Sequence, residues 1–189
     1  LDRRAMSMML RRVVFSAQSS HGAMDLSDLA TLKLSLTTEN FHSALLASCS
    51  IPFWLQAVHD IPGAPQGAHW DGGITDYHMH LNYASAPEGL ALIPHFQPRL
   101  VPGWLDKPLK WRHGATRFLD NAVVLCPSAE WMQSLPGQKI PDRSDFKRFL
   151  HAPQEREQIW TQAWQASRAL ADDFEALTQA SSVRAMPLP

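Results

Sequence analysis

Between positions 69 and 80 the chain places His69, Asp71, Asp76, His78 and His80, carboxylates and imidazoles within a dozen residues. Such groups move protons or hold metal ions near neutral pH. Asp71 is followed by Gly72 and Gly73, and glycines lack the side chains that would keep a hydroxyl away from the carboxylate. A carboxylate so placed can act as general base, taking the proton of a serine that attacks an ester carbonyl. The same stretch allows a second chemistry: in an extended segment His78 and His80 point to one face, and with His69 they would begin a site where a metal activates water. H-E-x-x-H is absent, and no further ligand stands at a standard spacing. The histidines at 21, 42, 59, 95, 113 and 151 lie in scattered contexts and are read as ordinary surface or core residues.

These residues need elements to carry them. Val13-Val14-Phe15 reads as a buried strand running into a polar loop over Ser16–Gly22, and Leu32, Leu34 and Leu36 alternate with Lys33 and Ser35 as a strand with one wet face. Thr38 can cap a helix in which Phe41, Leu45, Leu46 and Cys49 line one face, and Pro52 helps to end it. Pro62, Gly63, Pro65 and Gly67 make 61–69 a turn region leading to Asp71, where the two glycines predict a sharp turn at positive φ. Strand and helix then alternate, which predicts an α/β fold.

The helix end is Ala47-Ser48-Cys49-Ser50-Ile51-Pro52, and Asp71-Gly72-Gly73 follows about twenty residues later. This pair resembles the patatin-like family of lipid acyl hydrolases, whose pattern is Ala-Ser-x-Ala-x-Pro and then Asp-Gly-Gly or Asp-Gly-Ala. The likeness covers roughly residues 10–85. It implies the carboxyl-terminal part of a three-layer α/β/α domain with a mainly parallel sheet, in which Asp71 stands at a strand end and forms a dyad with a serine. Gly72, Gly73, Ser48, Ser50 and Pro52 support that motif. The implied activity is hydrolysis of a lipid acyl ester with no metal or organic cofactor. The family's G-x-S-x-G elbow and glycine-rich oxyanion loop do not occur here. Ser48 and Ser50 lie inside the second motif and lack the elbow, so neither is read as the nucleophile. The absent elbow and the initial Leu1 predict a chain that begins inside a longer reading frame and is inactive as an esterase alone.

Five prolines between Pro87 and Pro108 bar any regular element from running through, leaving Leu90–Ile93 as a short strand. Phe96, Trp104 and Trp111 predict that the proline- and tryptophan-rich loop at 85–113 packs against the body as a cover. Ala122–Cys126 reads as a strand, Ser128 with Glu130 as a helix start, Asp142 or Ser144 as another, and Pro153 as the first turn of a long final helix. Ile159, Trp160, Ala163, Trp164, Leu170, Phe174 and Leu177 give that helix one apolar face, expected to dock on a core. One domain is predicted over 1–180, with a frayed tail at 181–189.

Lysine and arginine number 17 against 18 acidic residues, a net charge of −1, which argues against nucleic-acid binding through a basic footprint. Two cysteines, Cys49 and Cys126, are too few to staple 189 residues and predict a reduced, cytoplasmic protein. No apolar run has the length of a membrane span. Lys107, Lys110, Arg112 and Arg117 near Trp104 and Trp111 allow peripheral contact with an anionic membrane, and the loop could equally make the chain a non-catalytic lipid- or protein-binding module. Oligomeric state is left open.

Overall fold

The structure, a computed structural model, describes residues 3–17, 25–83 and 89–189. Most of the expected polar loop over Ser16–Gly22, and with it His21 and Pro87, lies outside the described residues. Helices mix with short parallel strand pairs, an α/β arrangement. Two compact units result: one holds the described residues up to Leu92 with Arg99–Val123 and Leu188–Pro189, the other Ile93–Pro98 and Val124–Pro187.

In the first unit a short helix, α1 (Arg3–Met6), precedes β1 (Arg12–Ser16), which pairs in parallel with β2 (Thr31–Ser35), Val14 opposite Lys33. Both strands fall where the apolar and alternating patterns put them. The helix α2 (Thr38–Ser48) follows, capped one residue earlier than expected. Thr37, not Thr38, accepts from the Asn40 N–H, and the Asn40 side chain accepts from the Thr37 N–H at 2.9 Å. Asn40 is buried and its amide also donates to the carbonyls of Ser35 and Pro62 at 3.0 and 3.3 Å, so one side chain ties the strand end, the helix start and the following turn together. The apolar positions of α2 do not enter a core: Phe41, Leu45 and Leu46 are about half exposed, while Asn40 and Ala47 are the buried ones.

The chain then reaches α3 (Gly73–Asp76). The proline-rich loop packs on it through backbone rather than through its aromatics. Tyr77 N–H donates to the Pro102 carbonyl and His78 N–H to that of Val101. A Cβ on Gly103 would meet the Ile74 carbonyl at 2.7 Å, so only glycine allows this approach. Trp104 is half-buried, but Phe96 and Trp111 stand out in solvent, contrary to the packing expected of all three.

β3 (Ala91–Pro94) pairs with β4 (Ala122–Leu125). Ala91 N–H bonds to Asn121 and His95 N–H to Leu125, positions that advance together as parallel strands require. The second unit continues with α4 (Ala129–Ser134), capped by Ser128, then α5 (Ser144–Arg148), α6 (Pro153–Ala166) with Pro153 in its first turn, and α7 (Arg168–Gln179). The single final helix is thus two. Ser167 Oγ donates back to the Trp164 carbonyl at 2.7 Å, a local bond that stands at the junction of the two helices. The expected apolar face docks only in part: Ala163 is buried and Ile159 and Trp160 are half-buried, but Trp164 is exposed and α7 has no buried residue. Trp160 alone among its aromatics gains a fixed place, donating its indole N–H to Asp145.

Candidate functional site

The turn at Asp71 is assembled from both ends of the motif pair. Val58 and His69 exchange backbone hydrogen bonds at 3.0 and 2.8 Å as an isolated antiparallel bridge, which folds 59–68 back as a loop. Asp71 N–H then donates to the Ser50 carbonyl at 2.9 Å. The segment Ala47–Pro52 and the segment Asp71-Gly72-Gly73 are therefore bonded to each other. Asp71 follows a one-residue bridge and not the regular strand that the resemblance implies.

The Asp71 carboxylate is half-buried, and its Oδ1 accepts the Gly73 N–H at 2.7 Å. A Cβ on Gly73 would lie 2.9 Å from that oxygen, so glycine here clears space for the carboxylate. The expectation of positive φ is corrected: Gly72 sits at φ −61°, inside the helical region, and neither glycine of the motif lies in the left-handed region. A side chain on Gly72 would meet nothing within 4 Å. Among the described residues Asp71 accepts no other side-chain hydrogen bond and no hydroxyl engages it, which leaves Oδ2 open.

Asp71 opens on a groove of about 780 Å³, also lined by Val13, Phe15, Phe41, Leu45, Ser48 and His69. Val13, Val14 and Phe15 of β1 and Phe41 and Leu45 of α2 line this groove, whereas Leu46 and Cys49 do not. His69 Nδ1 is buried there with no hydrogen-bond partner among the described residues, a costly state that a polar group entering the groove would relieve. Ser50 is buried and its hydroxyl donates to the Leu46 carbonyl at 2.9 Å, which removes it from any attack on a substrate. Ser48 is exposed at the last position of α2, and Pro52 follows at the start of the turn.

The histidine cluster does not form. His78 and His80 lie on a turn with Met79 at φ 52°, so the extended geometry that would aim both imidazoles one way is lost. His78 Nδ1 accepts the Val101 N–H at 2.9 Å, and His80 Nε2 lies 3.2 Å from the Thr116 hydroxyl. Among the described residues no three His, Cys, Asp or Glu side chains converge as a metal site would need. Both cysteines are free thiols, and burial pushes the Cys126 thiol up.

The residue that sequence reasoning missed is Arg12. Its Nε and Nη2 donate to the two oxygens of Asp76, both at 2.7 Å, while Nη1 and Nη2 reach Asp28 at 3.0 and 3.3 Å. Nη1 also donates to the Leu26 carbonyl and Thr31 Oγ1. Burial alone would lower the Arg12 pKa, but its hydrogen bonds to Asp76 and Asp28 and their charges prevail and raise it. This fork locks β1 to the end of α3, the helix whose first residue orients the Asp71 carboxylate. The signal in the sequence was a charge at the border of an apolar strand, which by itself names no partner.

No protein-family model, curated protein or solved structure matches the chain. Among the described residues no helix is long and apolar enough to cross a membrane.

Proposed function

We propose that this chain carries the carboxylate half of a serine-aspartate dyad in a patatin-like lipid acyl hydrolase. Its β1–β2 sheet and α2 would form one side of a three-layer α/β/α domain, and the nucleophilic serine would come from a segment outside these 189 residues. The observation that carries this reading is the bond from Asp71 N–H to the Ser50 carbonyl, which joins the two motif segments at an apolar groove. The open Oδ2 of Asp71 and the unpartnered Nδ1 of His69 on the same groove support it.

In this mechanism Asp71 takes the serine proton as the serine oxygen bonds to the ester carbonyl carbon. The carbon–oxygen bond to the alcohol then breaks, and the alcohol leaves with that proton. Water attacks the acyl-serine, Asp71 accepts its proton and returns it to the serine, and the fatty acid departs. Gly73 N–H holds the carboxylate through both halves, and the Arg12–Asp76 fork anchors the other end of the short helix that Gly73 begins.

The test is the longer reading frame that contains this chain, expressed as it stands and with Asp71→Asn, alongside the 189-residue chain, on a short-chain nitrophenyl ester. The longer protein is expected to be active, with a loss of roughly 10²–10⁴-fold in kcat on substitution, the range of general-base catalysis. The 189-residue chain is expected to be silent. Undiminished activity in the Asp71→Asn protein would remove the carboxylate from the mechanism. Chelator-sensitive hydrolysis by the short chain would return the question to His69, His78 and His80.

A further inference from the structure

Beyond the groove, the chain presents aromatic residues outward in a way that packing does not explain. Phe53 and Trp54 are 92% and 82% exposed, and Phe53 sits at φ 70°, a left-handed backbone that a bulky side chain rarely adopts. Backbone strain of this kind persists where the surrounding fold imposes it, and here it places a ring in solvent. The Phe53 ring lies 6.4 Å from that of Trp104, so the segment 51–55 adjoins the 3-10 turn Trp104–Asp106, which the turn Lys110–Arg112 follows in the chain. Trp111 in the second turn is 78% exposed.

The charge around these rings identifies the partner. In a chain of net charge −1, residues 104–112 carry Lys107, Lys110 and Arg112 against Asp106 alone. Asp106 is buried and paired with Arg112 at 2.8 Å, and the Lys107 ammonium rests on the Tyr77 ring at 3.9 Å. Protein interfaces favour aromatics but are depleted of lysine, whereas tryptophan and phenylalanine backed by lysines suit the boundary between acyl chains and anionic headgroups.

We propose that Phe53, Trp54 and Trp111 dock this protein on an anionic lipid surface, with Lys107 and Lys110 against the headgroups. The inference does not depend on the acyl hydrolase reading. Its test is sedimentation of the full chain with vesicles of phosphatidylglycerol and, separately, of phosphatidylcholine. Binding is expected to phosphatidylglycerol, to weaken as salt screens the headgroup charge, and to fall about tenfold or more in Phe53→Ser/Trp54→Ser. Lys110→Glu should weaken binding to phosphatidylglycerol, and circular dichroism should show both variants folded. Vesicle binding is read without ester hydrolysis, so a failed hydrolase reading leaves this result readable. Equal binding to both lipids, no binding, or indifference to the aromatic substitutions would overturn the proposal. So would a dimer in analytical ultracentrifugation that those substitutions abolish, since the occupant would then be a second copy.

Discussion

Each of the two units is fastened by a cation between two aspartates, and the two fastenings are built on opposite plans. In the first unit Arg12 reaches Asp76, 64 positions away in sequence, and Asp28, with all three side chains about nine-tenths buried. In the second, Lys139 meets Asp142 and Asp145 at 3.1 and 2.8 Å within a single stretch of seven residues. Asp142 remains substantially in water and the Lys139 side chain is about one-third exposed, although its ammonium nitrogen is covered, while Asp145 is buried. Guanidinium is planar and weakly hydrated, so it can leave water and meet two carboxylates with a fixed fork. Ammonium is a compact, strongly hydrated charge, suited to a local clasp at the surface. The difference teaches which cluster organises tertiary structure: the arginine joins a strand to the helix that orients Asp71, while the lysine finishes a turn that its neighbours already form.

Removing each cation measures that difference. Arg12→Met should cost about 3–5 kcal/mol in urea denaturation, because it strands two buried carboxylates. It should also loosen the Asp71 turn, seen as faster hydrogen exchange at the Gly73 and Ile74 amides. Lys139→Met should cost only about 1 kcal/mol, since Asp145 keeps hydrogen bonds from the Asp142 amide and the Trp160 indole. A loss equal to that of Arg12→Met would break the comparison.

Titration sharpens it further, with a smaller effect. Hydrogen bonds from Ser144 and Lys139 hold the Asp142 carboxyl down from 3.8 to about 2. A depressed acid contributes stability above its unfolded value and loses it as pH falls through the folded one, so the clasp should weaken between about pH 4 and 2. At the alkaline end desolvation opposes the bonds from Asp145 and Asp142, which win and raise Lys139 above its ordinary 10.5. Its contribution is complete below that value and lost as pH rises past the folded one, while Arg12 stays charged. Urea denaturation of the protein and of Lys139→Met should report both limits, the difference between the two shrinking at each. A difference that stays constant with pH would show that the titration of the clasp contributes nothing to stability.

Much of the local structure was legible in the residues. The strands at 12–16, 31–35, 91–94 and 122–125 follow short apolar or alternating runs, and Ser128 and Pro153 mark helix starts where capping and proline geometry require. The failures share a cause. Phe41, Leu45, Trp111 and Trp164 were assigned to a core because apolar residues usually find one, yet periodicity says only which side of an element they share. What lies opposite that side is a property of the fold. The cap at Thr37 turned on side-chain bonds for which Thr38 offered an equally good local alternative.

Within the candidate site, the types Asp71, Gly73 and Ser50 and their spacing were set by the sequence, because a carboxylate near glycine and a small hydroxyl residue are chemical facts of the chain. Tertiary structure alone decided that Ser50 gives its carbonyl to Asp71 and loses its hydroxyl to Leu46, and that His78 and His80 diverge across a turn. It alone decided that Arg12 spans 64 residues to hold the helix behind Asp71. Local patterns encode what neighbours in sequence can do to each other. A bond between distant groups forms only where burial removes competing water, and which groups are buried together is settled by the packing of the whole unit.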